Sequence, residues 1–444
     1  MKRHALFALL LTSGCAHYAP VPIEPEPAAL AAPVASVLEE KADKITRPWL
    51  KPVTLDLAAP LTPDAVATLA VVNNPDLKAA RVRAGVSDAQ AFAAGLLPDP
   101  GISLGANKVL HGPDPMMDLA SAVALDINAL RTHGVTREKA QAEARQVRLD
   151  LAWQEWQTAG QARLQAVRIQ ALGEQLALAR QSADAAQWVF DRTQKAAARG
   201  DVSGSRLQAA RIAALDANSK LRTAQQDLTT ADSALSALLG LPPGSVPQLA
   251  PVPLPVTPLP ADALFAIARE NRTDLKALQA GYAAQEAAVH KAVLDQFPTL
   301  NLTVNTNRDS AGNTLFGPAI DFTLPLWNRN RGGIAVERAT RAALKAEYEA
   351  RLFQTRADID AAEQGIALAF RQRADAESGL KRLRAYAEAA RSAAERGDLS
   401  RETAVAAQQS LRDRLTLIAQ SEQAIREQMI ALELLTGTPR EAWK

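Results

Sequence analysis

The sequence predicts a mainly α fold built twice, each half joining two short strands to one long helical hairpin. Three observations predict it. Residues 131–241 and 326–438 contain no proline, although the chain holds 26 of them. Each run is broken at an Arg-Gly-Asp turn: Ala197-Ala198-Arg199-Gly200-Asp201-Val202-Ser203, then Ala393-Ala394-Glu395-Arg396-Gly397-Asp398-Leu399-Ser400. Four segments of period-two alternation stand in two pairs ahead of the runs, and the repeat spacing stays a little under half the chain.

The 444 residues are 48% hydrophobic but only 4% aromatic, so few large side chains are available for a thick core. Alanine dominates; it favours helix and lets helices approach closely. The net charge is +2 with both signs interspersed, a solvated surface rather than a nucleic-acid footprint. No apolar run reaches the roughly 20 residues of a membrane helix, so membrane contact would come through lipid or strands.

Residues 1–15 read as a signal peptide. Lys2, Arg3 and His4 precede the apolar stretch Ala5 to Leu11, and Thr12-Ser13-Gly14-Cys15 resembles a lipobox whose cysteine is lipidated. Thr12 stands where a lipobox usually has leucine, and ordinary cleavage after Ala16 is the alternative. With Cys15 as its one cysteine, the chain forms no internal disulfide and holds by packing.

Residues 16–60, rich in Pro, Ala and Glu, read as an extended tether. The first repeat spans 61–241. Thr62 and Pro63 open a short helix that Asn73-Asn74-Pro75 stops, and a second runs to about Leu97. Strands follow at about 101–109 and 118–128, then a hairpin at about 131–239 turning at 200–203. A helix of about 65 residues would be roughly 100 Å long and needs partners along its length. A proline-rich connector, 242–260, leads to the second repeat, 261–439, and a tail, 440–444. That repeat places strands at about 299–308 and 316–325, with Pro318 suggesting a start only at Ala319, and a hairpin at about 331–436 turning at 397–400.

Asn, Asp and Thr alternate with apolar residues along the strands, as in a membrane barrel with a wet lumen. The lumen candidates are Asn107, Asp126, Asn301, Asn305, Asn307 and Asp321. Four strands cannot close a pore, so several copies must share one barrel.

These features together resemble the TolC family of outer-membrane channel proteins, in its lipoprotein branch. The resemblance covers roughly Leu61 to Pro439. It rests on Asn73-Asn74-Pro75-Asp76-Leu77, Leu96-Leu97-Pro98-Asp99-Pro100, the duplicated Arg-Gly-Asp-hydrophobic-Ser turn, and the ends Leu239-Gly240-Leu241-Pro242 and Thr436-Gly437-Thr438-Pro439. It implies a homotrimer with a shared twelve-stranded β-barrel in the outer-membrane lipid, continued by a periplasmic α-barrel. It also implies a periplasmic adaptor (membrane fusion) protein and an inner-membrane pump of the resistance-nodulation-division type. The expected function is passage of substrates outward in a tripartite efflux system, by analogy for heavy metals or drugs. A type I secretion channel and a non-conducting lipid-anchored coiled-coil scaffold are the alternatives.

On this resemblance Gly200, Asp201, Val202, Ser203, Gly397, Asp398, Leu399 and Ser400 form the periplasmic tip and meet the adaptor. Gly200 and Gly397 suit the reversal, Asp201 and Asp398 are candidate caps, and Ser203 or Ser205 can also cap. Some relatives close the tunnel with aspartates shortly past the tip; Arg206, Ala209, Thr403 and Ala406 stand there instead. A gate would use Arg206, Asp398 and Glu402. The chain reads as no enzyme and as needing no cofactor or metal: it has no nucleophile set, P-loop or dinucleotide motif. His111, Met116 and Met117 read as an exposed loop, and Arg329-Asn330-Arg331-Gly332-Gly333 marks a membrane exit and helix start rather than a phosphate cradle.

Overall fold

The computed structural model describes residues 18–24, 33–50, 52–108, 110–111, 117–309 and 312–443; the signal segment and Cys15 lie outside them. The body is helical, with one small antiparallel sheet at one end.

The segment read as a tether is folded over much of its length. Helix α1 (Ala35–Lys44) buries Leu38 and Ala42, and the chain after it buries Trp49, Leu55 and Leu61. Arg47 fastens it: its Nε donates to Glu155 Oε2 at 2.6 Å. Arg81 donates to the same buried carboxylate from the other side, its Nη2 lying 2.7 Å from Oε1. A buried carboxylate held by two guanidiniums is a strong, orienting contact. The Glu155 bond raises the pKa of Arg47.

Thr62 caps α2 (Pro63–Asn73), accepting the Ala65 N–H, with Pro63 at the first helical position. Residues 65–73 of this helix are all buried, which marks it as a core element rather than a surface one. Asn74 caps α3 (Pro75–Ala94) through the Leu77 N–H.

After strands β1 (Gly101–Lys108) and β2 (Met117–Asp126), α4 (Ile127–Ala198) runs unbroken for 72 residues, about 108 Å. β2 stops two residues short of the expected boundary because Asp126 caps α4, accepting the Ala129 N–H at 2.8 Å. The hairpin returns as α5 (Gly204–Leu239). The second repeat gives α6 (Ala261–Asn271), α7 (Thr273–Leu294), β3 (Thr299–Arg308) and β4 (Thr314–Thr323). Its long arm is divided into α8 (Arg331–Glu377) and α9 (Leu380–Arg396), before α10 (Arg401–Thr436) returns. The break falls at Ser378-Gly379, where Gly379 takes a φ of +76°. The expectation of a single interruption at Gly397 therefore needs a second one.

Large side chains gather at one level. Val66 and Leu69 of α2 meet Leu235 and Leu239 of α5 and Ala162 and Ala166 of α4. The second repeat sets Leu264 of α6 against Ile359 and Ile366 of α8 and Leu432 of α10. Near the second turn the core is alanine alone: Ala387, Ala390, Ala394, Ala404 and Ala407. This distribution accounts for the low aromatic content.

The two hairpins adhere along α4 and α10, which run antiparallel. Trp156 Nε1 donates to Leu434 O, Arg163 pairs with Glu433 at 2.6 Å, and Gln175 and Arg412 bond Gln423 and Ser182 further down. Arg163 and Glu433 are both buried, and desolvation pushes the Glu433 carboxyl above its ordinary range against the pull of Arg163 and Arg440.

Each hairpin ends at a left-handed glycine onto which a short-helix junction docks. Asn73 Nδ2 donates to Leu239 O (2.7 Å) and Gly240 O (3.0 Å), and Asn74 Nδ2 to Leu238 O (3.0 Å). Arg272 Nη1 reaches Leu435 O, at the end of α10, and a Cβ on Gly437 would sit 2.9 Å from the Arg272 Cα. Gly240 has φ +61°, and a Cβ there would sit 2.7 Å from Asn73 O. Gly200 has φ +81° but open space around it. Gly240→Ala should therefore cost clearly more than Gly200→Ala, which pays only the left-handed strain of about 1–3 kcal/mol. Thermal unfolding of both purified variants followed by circular dichroism checks the order; equal midpoints would contradict it.

Candidate functional site

The sheet order is β1-β2-β3-β4, with every neighbour antiparallel. Directly opposed residues share a face. Ile102 opposes Val123, which opposes Val304, which opposes Pro318; Leu125 opposes Leu302, which opposes Ile320. The same register carries the lumen candidates on the other face. Asp126 opposes Asn301, which opposes Asp321, a carboxyl-amide-carboxyl row. Asn305 stands between Ala122 and Gly317, Asn307 between Ala120 and Leu315, and Asn107 opposite Asp118. All six candidates thus lie on one face. Asp118 belongs with them and was not singled out from sequence, because a flanking loop obscured where the alternation began.

Most of the other positions on that face are small, among them Gly105, Ala120, Ala122, Ala124, Gly317 and Ala319, and Leu315 is its one large apolar side chain among the described residues. The opposite face is apolar and open, with Ile102 at 74% and Phe316 at 76% exposure. Pro318 does not delay β4, which begins at Thr314. β4 is an edge strand, where a missing N–H need not interrupt the ladder. β1 is the other edge, so a single chain leaves both rows of ladder groups unpaired.

At the far end the two turns share one design. Gly200 and Gly397 have φ of +81° and +86°. The amides of Asp201 and Asp398 close back on Ala196 O and Ala393 O, both at 2.9 Å, sealing the preceding helix. The aspartate side chains do not cap the next helix. Asp201 Oδ2 accepts from Arg199 Nε at 2.8 Å and Asp398 Oδ2 from Arg396 Nε at 3.0 Å, so each Arg-Gly-Asp triplet closes on itself. The caps are Ser203, which accepts the Arg206 N–H, and Ser400, which accepts the Thr403 N–H. Serine wins because it stands at the true N-cap position while an adjacent arginine engages the aspartate. Val202 and Leu399 are half-buried beneath the turns, Leu399 against the alanine core.

Of the gate candidates, Arg206 and Glu402 are brought together: their side chains form an ion pair joining the first turns of α5 and α10. Asp398 is held by Arg396 instead. The Arg206–Glu402 pair is half exposed, which limits it to at most about 1 kcal/mol. Ser205 bonds Ser203 rather than capping. His111 and Met117 are exposed, Met116 lies outside the described residues, and His133 bonds Gly95 O. Among the described residues no helix is long and apolar enough to cross a membrane.

A polar-and-apolar sheet with two open edges, set on hairpins of this length, has close counterparts. Residues 264–438 match the outer membrane efflux protein family model. That stretch takes in nearly all of the second repeat. No curated protein matches the chain by sequence. Among solved structures the fold is shared with CusC, at 18% identity and a TM-score of 0.68, over 85% of this chain and 92% of that one. The CmeC outer membrane channel of Campylobacter jejuni is 16% identical with a TM-score of 0.67, over 94% of each chain. The open-state MtrE outer membrane channel of Neisseria gonorrhoeae is 16% identical with a TM-score of 0.67, over 84% of this chain and 88% of that one. The architecture, a helical body with a four-stranded β part, is shared with these outer membrane channels.

The tip geometry makes a simple demand. Cysteines introduced by R206C and E402C should be joined within one chain by a short bis-maleimide. Recovery of only uncrosslinked chains would mean that the two turns do not meet.

Proposed function

We propose that this chain is one subunit of an outer-membrane channel of an efflux system. The observation that carries the reading is the sheet. Its apolar face is uncovered, its polar face holds a row of Asn and Asp, and both of its edges are open. Lipid tolerates an apolar face but not an open edge. Strands of 8 to 10 residues suit a tilted membrane strand.

Closure requires further copies, since barrels begin at about eight strands. Three chains give a twelve-stranded barrel wide enough to hold water, with Asn107, Asp126, Asn301, Asn305, Asn307 and Asp321 lining it. The hairpins of the three chains continue the passage through the periplasm for about 100 Å. The turns at Gly200 and Gly397 form its far rim and meet a periplasmic adaptor, which couples the channel to an inner-membrane pump of the resistance-nodulation-division type. Cys15 carries the lipid anchor. The comparison proteins support this reading: CmeC and MtrE are described as outer membrane channels, and the CusC structures concern transmembrane channel formation.

Single-channel recording of the purified protein in a planar bilayer tests the proposal; a stable trimer that never conducts would exclude it. D126N combined with D321N should lower the preference of the open channel for cations over anions, because two carboxylates per chain leave the lining. Asparagine keeps the cap on α4. An unchanged reversal potential in a salt gradient would place this face outside the pore. On the other face, Val123→Arg should cost about 2–4 kcal/mol of membrane insertion. Heat-modifiable mobility of the inserted protein reads that loss.

A further inference from the structure

An Arg–aromatic pair and an arginine bonded to a tryptophan carbonyl stand where the sheet meets the helices, and neither belongs to the lumen or the tip. The first is at the junction of α7 and β3. Arg131 lies over the Phe297 ring, 6.0 Å from its centroid, and donates to Leu294 O, Pro298 O and Asn128 Oδ1. The second is at the junction of β4 and α8. Arg331 Nη2 donates to the Trp327 carbonyl at 3.1 Å.

The surface between them is apolar and uncovered. Trp327 is 84% exposed, the most open aromatic ring after Tyr18 among the described residues, and Leu324, Leu326 and Phe297 are each more than half exposed. The apolar row of β4 thus runs on past the end of the strand. The cations are also unneutralised. Arg329 is exposed and makes no hydrogen bond or ion pair among the described residues. Arg131 and Arg331 bond only carbonyl and amide oxygens.

The loop that carries Arg329 is firmly built. Arg329 and Asn330 hold φ of +47° and +49°, the only positive values outside glycine among the described residues. Asn330 Nδ2 ties the loop to Ala292 O at 2.8 Å, and a side chain on Gly333 would strike Asn330 Oδ1. The loop presents its groups rather than folding them away.

Resting on the channel reading, we infer that this junction is a docking surface for the anionic phospholipid headgroups of the leaflet at the helical end of the barrel. The aromatic rings would lie at the level of the glycerol, and Arg329, Arg331 and Arg131 would meet phosphate. The occupant follows from three features. The surface continues the apolar face of the sheet, so it ends where lipid would end. Aromatic residues and arginine concentrate at that boundary in membrane proteins. Three guanidiniums without carboxylates complement phosphate, and a protein partner seated here would have to bring acids of its own. A second copy of the chain covering Trp327 is the competing occupant.

The test uses the full-length protein in vesicles of phosphatidylethanolamine, alone or mixed with phosphatidylglycerol. Native mass spectrometry should show wild type retaining phosphatidylglycerol over phosphatidylethanolamine. R329Q combined with R331Q should lower that preference by about fivefold per arginine. R329K combined with R331K should keep most of it, which separates charge from damage to the loop. Phosphatidylglycerol brominated near its glycerol end should quench an emission component that W327F lacks. Equal retention of both lipids by wild type, an unchanged preference in the glutamine variant, or an unquenched Trp327 would overturn the inference, the last in favour of the second copy. Conductance in phosphatidylethanolamine alone is read separately: a conducting trimer with no lipid preference defeats this inference and leaves the channel standing.

Discussion

A helix of 72 residues cannot stand alone in water, and most of the molecule is arranged to cover one. The partners of α4 change along its length. Near the sheet it lies against α3 and α7, at the middle against α2 and α10, and beyond that against α5. None of these partners is long enough to cover it entirely. The short helices therefore fill the stretch that the returning arm of the hairpin does not reach. The large buried side chains sit where these changes of partner occur, because several helices meet there and only bulky residues fill the space.

The same level is also where the repeats are fastened. The junction of two short helices bonds the carbonyl end of a hairpin in each half, but with different chemistry. Asn73 and Asn74 use amides, while Arg272 uses a guanidinium that is also held by Asp274 at 2.7 Å and stacked on Trp153. A duplicated fold has thus kept the contact and changed the donor. The strap from Ala35 to Leu61 adds a third layer over the first repeat, and the connector is pinned to it through Leu61 and Ala250.

The larger divisions were legible in the sequence because glycine and proline act locally. The turns at Gly200 and Gly397, the stops at Gly240 and Gly437, and the strand alternation all follow from backbone preference or period. What needed the structure depends on distant partners. The strap residues Leu38, Trp49 and Leu55 follow no period, so only docking onto α2 and α4 reveals them as core. Asp201 and Asp398 read as caps until the neighbouring arginine is seen to engage them. The common face of Asp126, Asn301 and Asp321 follows from register, which alternation within one strand cannot supply. The pairing of Arg206 with Glu402 joins residues almost half the chain apart, and no local signal announces it.

The break at Ser378-Gly379 sets the two hairpins apart mechanically. The long arm of the first is one continuous rod, whereas that of the second has a joint 18 residues above its glycine turn, with open space around the joint glycine. In the proposed threefold assembly, rigid and jointed staves would alternate around the wall. A load applied at the rim would then bend three staves and leave the other three straight, so the opening would deform as a triangle rather than as a circle.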